Sequence, residues 1–162
     1  MFRKSLVLGL VAMATFAFAI ECNVDGVHGF GVAGTEDRHG EFRLAAKRVT
    51  CGDRSQIDGH FVFRTVNRDR RAAIEITMVR LGRLGVGEDT AEWTGHGTMV
   101  VRTPQGVRRT TGAIQGRAHD AGEGDDPDYL GFTFTPERGE PYAFRGPVVR
   151  GNIEVFHRTF SR

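Results

Sequence analysis

Beyond residue 19 this chain has no apolar run approaching the roughly 20 residues that a membrane-spanning helix needs. It has no helix-length amphipathic segment there either, so helices are not expected to carry the fold. Serine is scarce: Ser55 and Ser161 are the only two past residue 19, and neither sits in a Gly-x-Ser-x-Gly elbow. A serine nucleophile is therefore not expected. Cysteine is limited to Cys22 and Cys51, with no Cys-x-x-Cys spacing for redox or metal chemistry. The six histidines, His28, His39, His60, His96, His119 and His157, show neither His-x-x-x-His nor His-x-His spacing. Of these, His60, His96 and His119 could meet only across neighbouring strands. Gly29 to Gly34 is glycine-rich, but no helix follows it to hold a phosphate at its N-terminus.

The start of the chain carries an address. Arg3 and Lys4 precede an apolar run from Leu6 to Phe18, and Ala17-Phe18-Ala19 gives a small-x-small cleavage pattern. This is the pattern of a secretory signal peptide over residues 1–19, leaving one domain over residues 20–162 in a secreted or periplasmic location. Glu21, rather than a small residue, precedes Cys22, so a lipid anchor is not expected. Loss of Arg3 and Lys4 takes the chain from 22 basic and 20 acidic residues to near neutrality. A neutral chain with interspersed signs has no footprint for nucleic acid, and no membrane insertion is expected after cleavage. The densest basic cluster, Arg68, Asp69, Arg70 and Arg71, reads as a polar turn.

In an exported chain an even pair of cysteines reads as a disulfide, Cys22 to Cys51, tying the N-terminus to the body of the domain. Short alternating segments fill the rest, punctuated by Gly, Asp, Asn and Pro. Val27 to Ala33 places His28, Phe30 and Val32 on one side. Glu41 to Arg48 groups Phe42, Leu44 and Ala46, and Gly59 to Val66 groups Phe61 and Phe63. Ala72 to Leu84 is apolar on both faces, Ile74, Ile76 and Met78 against Val79 and Leu81, which predicts a strand in the middle of the fold. Thr90 to Arg102 aligns Trp93, Gly95, Gly97, Met99 and Val101; alternate glycines there predict bending or close approach of a neighbour. Thr103-Pro104-Gln105-Gly106 is a turn, and Val107 to His119 returns from it. Leu130 to Phe134 and Tyr142 to Phe156, the latter with a break expected at Pro147, complete about eight antiparallel strands. The connections are short, so the expected fold is all-β, an up-and-down barrel, with a β-sandwich as the alternative.

One cluster invites a ligand. Asp120, Glu123, Asp125, Asp126 and Asp128 lie within nine residues, with Gly122 and Gly124 between them. Confined to a fixed loop, these carboxylates would repel one another, and a hard cation such as calcium would relieve that repulsion. The spacing is not that of an EF-hand, and a solvated acidic turn explains the same residues. Paired acids for glycoside hydrolysis, such as Glu92 and Asp120, are conceivable only if the fold brings them together. No catalytic residue is assigned.

The motifs together resemble a known family. Gly29-Phe30-Gly31, Gly59-His60-Phe61-Val62-Phe63, Thr94-Gly95-His96-Gly97, Gly112 through Glu123, Asp128 through Phe134, Tyr142, and Gly151-Asn152-Ile153-Glu154-Val155 are similar to the post-COAP domain. That module occurs in bacterial exported and surface proteins, and the resemblance spans Cys22 to His157. The turn Ala121-Gly122-Glu123-Gly124-Asp125 lacks the proline of the family's pattern, which weakens any carry-over of a shared ligand at Asp120. The resemblance implies a secreted all-β module with no established reaction. The leading expectation is a non-enzymatic interaction or structural domain with a protein or cell-surface partner. A lipocalin-like carrier of a small ligand is the alternative, and a barrel enzyme with carboxylate or metal chemistry a third.

Overall fold

The computed structural model describes residues 21–67 and 71–161. The segment read as a signal peptide lies outside the described residues, as does most of the basic cluster at 68–70. The described chain is all β: β1 (Glu21–Gly34), β2 (His39–Cys51), β3 (Arg54–Asn67), β4 (Ala72–Val86), β5 (Thr90–Thr103), β6 (Gly106–His119), β7 (Tyr129–Pro136) and β8 (Tyr142–Ser161). Each strand pairs antiparallel with the next, and β8 returns to β1, closing the barrel in chain order. Closure removes the free edges of an open sheet.

Alternation explains why this chain closes. Phe42, Leu44 and Ala46 on β2, Phe61 and Phe63 on β3, Ile76 and Met78 on β4 and Leu130, Phe132 and Phe134 on β7 all face inward and are buried. Their strand neighbours face water. The interior is a continuous apolar cluster whose rings meet along the axis. Phe63 lies 4.5 Å from Phe144 and 4.8 Å from Phe132, and Phe61 lies 5.0 Å from Phe132 and 5.7 Å from Trp93. Such edge-on and tilted contacts add to area burial. Trp93 has room because it lies across Gly116 on the next strand; a Cβ there would fall 2.2 Å from the indole. The Trp93 Nε1 is buried without a hydrogen-bond partner among the described residues.

Three details differ from expectation. On β1 the side holding His28, Phe30 and Val32 is the outer one, with Phe30 exposed, and Val27 and Ala33 point into the core. Alternation on β1 is unbroken from Val27 to Ala33; Gly31 faces Gly151 with both in positive-φ backbone, and the register shift after Val32 places its extra residue, Val149, on β8. On β4 the expected second apolar face is split, Leu81 packing against the core and Val79 facing water. Register shifts between Met78 and Arg80 and between Leu81 and Arg83 leave Val79 70% exposed. A ring has no middle strand. Pro147 does not interrupt β8, because it occupies the last ladder position opposite Tyr129. A residue without an N–H is tolerated where the ladder ends.

The disulfide joins Cys22 to Cys51, directly opposed on β1 and β2, with Cα atoms 4.2 Å apart. It clamps the end of the barrel that holds the β2–β3 turn, the β4–β5 turn and the acidic loop. Arg38 closes the opposite end. Its guanidinium donates to the Ala143 carbonyl and stands 5.6 Å from the Tyr142 ring centre and 5.9 Å from that of Phe144.

Candidate functional site

A short β7 and a long β8 create the first local problem. The β7–β8 ladder ends at Tyr129 and Pro147, while β8 runs on to Ser161 with β1 on its other side. The N–H groups of β8 beyond residue 147 that point away from β1 need acceptors. The acidic loop supplies them. Asp128 is buried; its Oδ2 accepts from the Ile153 N–H at 2.6 Å, its Oδ1 from Ala121 at 3.0 Å, and its carbonyl from Val148 at 2.8 Å. Asp120 follows the same rule, with Oδ2 accepting from Val155 at 2.9 Å and Oδ1 from Gly122 at 2.9 Å.

Two of the five acids singled out as a calcium site are thus engaged by backbone. Glu123, Asp125 and Asp126 are exposed at the loop tip. No three His, Cys, Asp or Glu side chains converge as a metal site among the described residues. His119 stands 3.7 Å from Asp89 and His28 3.2 Å from Glu154, each in a separate surface pair. His60 and His96 do not join His119. Glu92 faces the outer wall, 3.8 Å from Arg117.

A second polar centre lies at the same end of the barrel. Asp25 accepts from Arg48 at 3.0 Å through Oδ2 and meets His157 Nδ1 at 2.9 Å through Oδ1. The other ring nitrogen of His157 lies 2.9 Å from the Gly87 carbonyl in the β4–β5 turn, and Arg48 also reaches the Leu84 carbonyl. The hydrogen bond with His157, with Arg48 beside it, holds the Asp25 carboxyl below its ordinary range. Asp25 and then the Gly87 carbonyl raise His157 above its ordinary value. Both His157 nitrogens face acceptors, so only the doubly protonated ring donates to both. This centre ties the β4–β5 turn to β1, β2 and β8.

A concavity lies on the outside. The outer faces of β4 to β8 form a trough of about 570 Å³. Cross-strand pairing sets its floor: Glu92, Arg117, Gly131 and Arg145 stand abreast on β5, β6, β7 and β8. Arg83, Thr94, Gln115 and Thr133 form the neighbouring row. Gly131 leaves the centre bare; the nearest atoms to a Cβ built there are 3.8 Å away. Tyr129, two residues along β7 on the same face, is 39% exposed and walls one end with His119. Arg83 and Arg145 make no hydrogen bond or ion pair among the described residues. The trough sets positive charge, amide and hydroxyl groups and one aromatic ring around a floor at Gly131. Sequence reading missed it because its arginines lie on separate strands. The signal was present in the alternation: Arg117 and Arg145 both fall on outward positions.

The chain matches no protein-family model, no curated protein and no solved structure. A disulfide fits a compartment outside the cytoplasm. No helix among the described residues is long and apolar enough to cross a membrane.

Proposed function

We propose that this protein is an exported, non-enzymatic β-barrel module that binds a partner or ligand through its outer wall. One observation carries the reading: the barrel axis is occupied by Phe61, Phe63, Phe132, Phe144 and Trp93 in mutual contact. A carrier holds its ligand where these rings stand. The outer trough is one of two concave surfaces outside that core, the other lying against the acidic loop, and it is the one that carries unpaired arginines among the described residues. The disulfide, the apolar segment before residue 20 and the likeness to the post-COAP domain support export.

The test uses the full chain, expressed with its own N-terminus and recovered from the periplasm or medium. Native mass spectrometry is expected to give the mass of the processed polypeptide with its disulfide and no small-molecule adduct. A panel of hydrolase substrates is expected to show no turnover. A stoichiometric ligand that leaves only on unfolding would establish a carrier, and turnover abolished by substitution at Glu92 would establish an enzyme.

A further inference from the structure

We propose that the outer trough over Gly131 is a binding site for a carboxylated polysaccharide, a chain of uronate-type sugars. The inference rests on the reading of the barrel as a binding module and names its ligand class.

Arg117 and Arg145 flank Gly131 in one cross-strand row. At the usual strand spacing their Cα atoms are roughly 9–10 Å apart, and the floor between them is the Gly131 backbone edged by the Arg145 Cβ and the Tyr129 ring. Two guanidinium forks therefore overlook a bare patch where a flat group can lie. A guanidinium and a carboxylate match in a planar, two-bond geometry. Arg145 and Arg83 have no protein partner among the described residues to be displaced, and Arg117 has only Glu92 at 3.8 Å.

The remaining lining suits a sugar better than a peptide or a nucleic acid. Tyr129 offers an exposed ring edge and face at one end of the trough, against which the C–H face of a sugar can pack. Thr94, Gln115 and Thr133 present hydroxyl and amide groups that can donate to or accept from sugar hydroxyls. Five strands abreast give a trough about 19 Å across, the length of a short oligosaccharide. Glu92 lies in the floor row, and Asp89, Asp120 and Asp126 sit just beyond Tyr129 and His119, so the acids bound the site at those positions. Carboxylates spaced one to a sugar ring can engage separate arginines and avoid these acids.

The probe is polygalacturonate, with neutral dextran, polyglutamate and single-stranded DNA as comparators, in affinity electrophoresis and calorimetry with the oxidised full chain. Retention by polygalacturonate that weakens with salt is expected. Arg117→Gln and Arg145→Gln should each weaken it about tenfold. Gly131→Val, which fills the floor where a Cβ meets no atom closer than 3.8 Å, should abolish binding with the melting temperature unchanged. Arg150→Gln, on an exposed β8 position outside the trough, should bind as the parent does. Absence of polygalacturonate binding, or binding that Gly131→Val leaves intact, overturns the proposal. Preference for dextran, polyglutamate or DNA, lost in Gly131→Val, overturns the ligand class and leaves the binding-module reading standing. New reducing ends formed from the polymer would overturn that reading while keeping the site.

Discussion

Replacing Asp128 tests the account of the acidic loop most directly. The side chain is buried and accepts two backbone N–H bonds, from Ile153 at 2.6 Å and from Ala121 at 3.0 Å. A hydrogen bond to a charged group contributes about 1.5–3 kcal/mol, and a buried donor left alone costs about 1–3 kcal/mol. Ile153 is wholly buried, so water does not reach its N–H readily, whereas Ala121 is only partly buried and is more easily rehydrated. Asp128→Ala is therefore expected to cost about 3–5 kcal/mol, a large part of a typical domain's 5–15 kcal/mol. Asp128→Asn keeps one acceptor oxygen but turns an NH2 toward the second donor, and about half that loss is expected. Asp126→Ala, exposed at the loop tip, should stay within about 0.5 kcal/mol of the parent. Urea unfolding followed by tryptophan fluorescence reads all three, since Trp93 is the only tryptophan and lies in the core. The measurement is made in EDTA and repeated in millimolar calcium. Equal midpoints for Asp128→Ala and Asp126→Ala would refute the reasoning. So would a loss seen only with calcium present, which would return the loop to the role of a cation site.

Three further outcomes are expected. The Cys22→Ser/Cys51→Ser variant opens a 29-residue loop and should lose about 3–4 kcal/mol, roughly 10 °C in melting temperature by calorimetry. The His157–Asp25 pair sets a pH window. His157 is raised above 6.5, so its contribution is complete below that value and fades as pH rises through the raised one; Asp25 is lowered below 3.8, so its contribution is present above that value and fades in acid. Melting temperature should therefore be higher at pH 6 than at pH 8, by an amount corresponding to about 0.3–1 kcal/mol for so exposed a pair, and His157→Gln should flatten the profile. Gly116→Ala drives a Cβ into the Trp93 indole and should cost about 1–3 kcal/mol in urea, whereas Gly131→Ala, with open space above it, should be neutral.

Strand number, order and inward residues could be read from the sequence wherever alternation was uninterrupted. Phe42, Leu44 and Ala46, and Phe61 with Phe63, are buried together as the period of two requires. Reading failed where the period slips. One extra residue near Val79 leaves Val79 and Arg80 both outside and turns Leu81 back toward the core, and nothing local marks it, because the partner register on β5 decides where the slip falls. The acidic loop was found for its composition and misread for its purpose. Carboxylates close in sequence look like a cation cage until the unequal lengths of β7 and β8 reveal the unpaired N–H groups they serve. The disulfide was legible because an even pair of cysteines allows one bond. The trough was not, because Arg83, Arg117 and Arg145 become neighbours only through three successive registers.

The position of the trough follows from how the barrel solves its own packing. Each large inward ring needs a gap on an adjacent strand, and glycine provides it: Trp93 over Gly116 is the clearest case. Arg38 stands at one end and the Arg48–Asp25–His157 centre at the other of an interior that is apolar among the described residues but for the Trp93 Nε1. A barrel so filled presents chemistry only through outward positions. Some of those hold paired charges, as at Arg64 with Glu75 and Arg158 with Glu154. The wall over β7 sets an outward glycine between two arginines, with Arg83 and Arg145 unpaired among the described residues. Gly131 is not required by packing, since a Cβ there meets nothing close, nor by backbone conformation, since its φ lies outside the positive region. Gly85, where a Cβ likewise meets nothing nearer than 4.0 Å, lines the same trough, and the proposed ligand offers one reason for both.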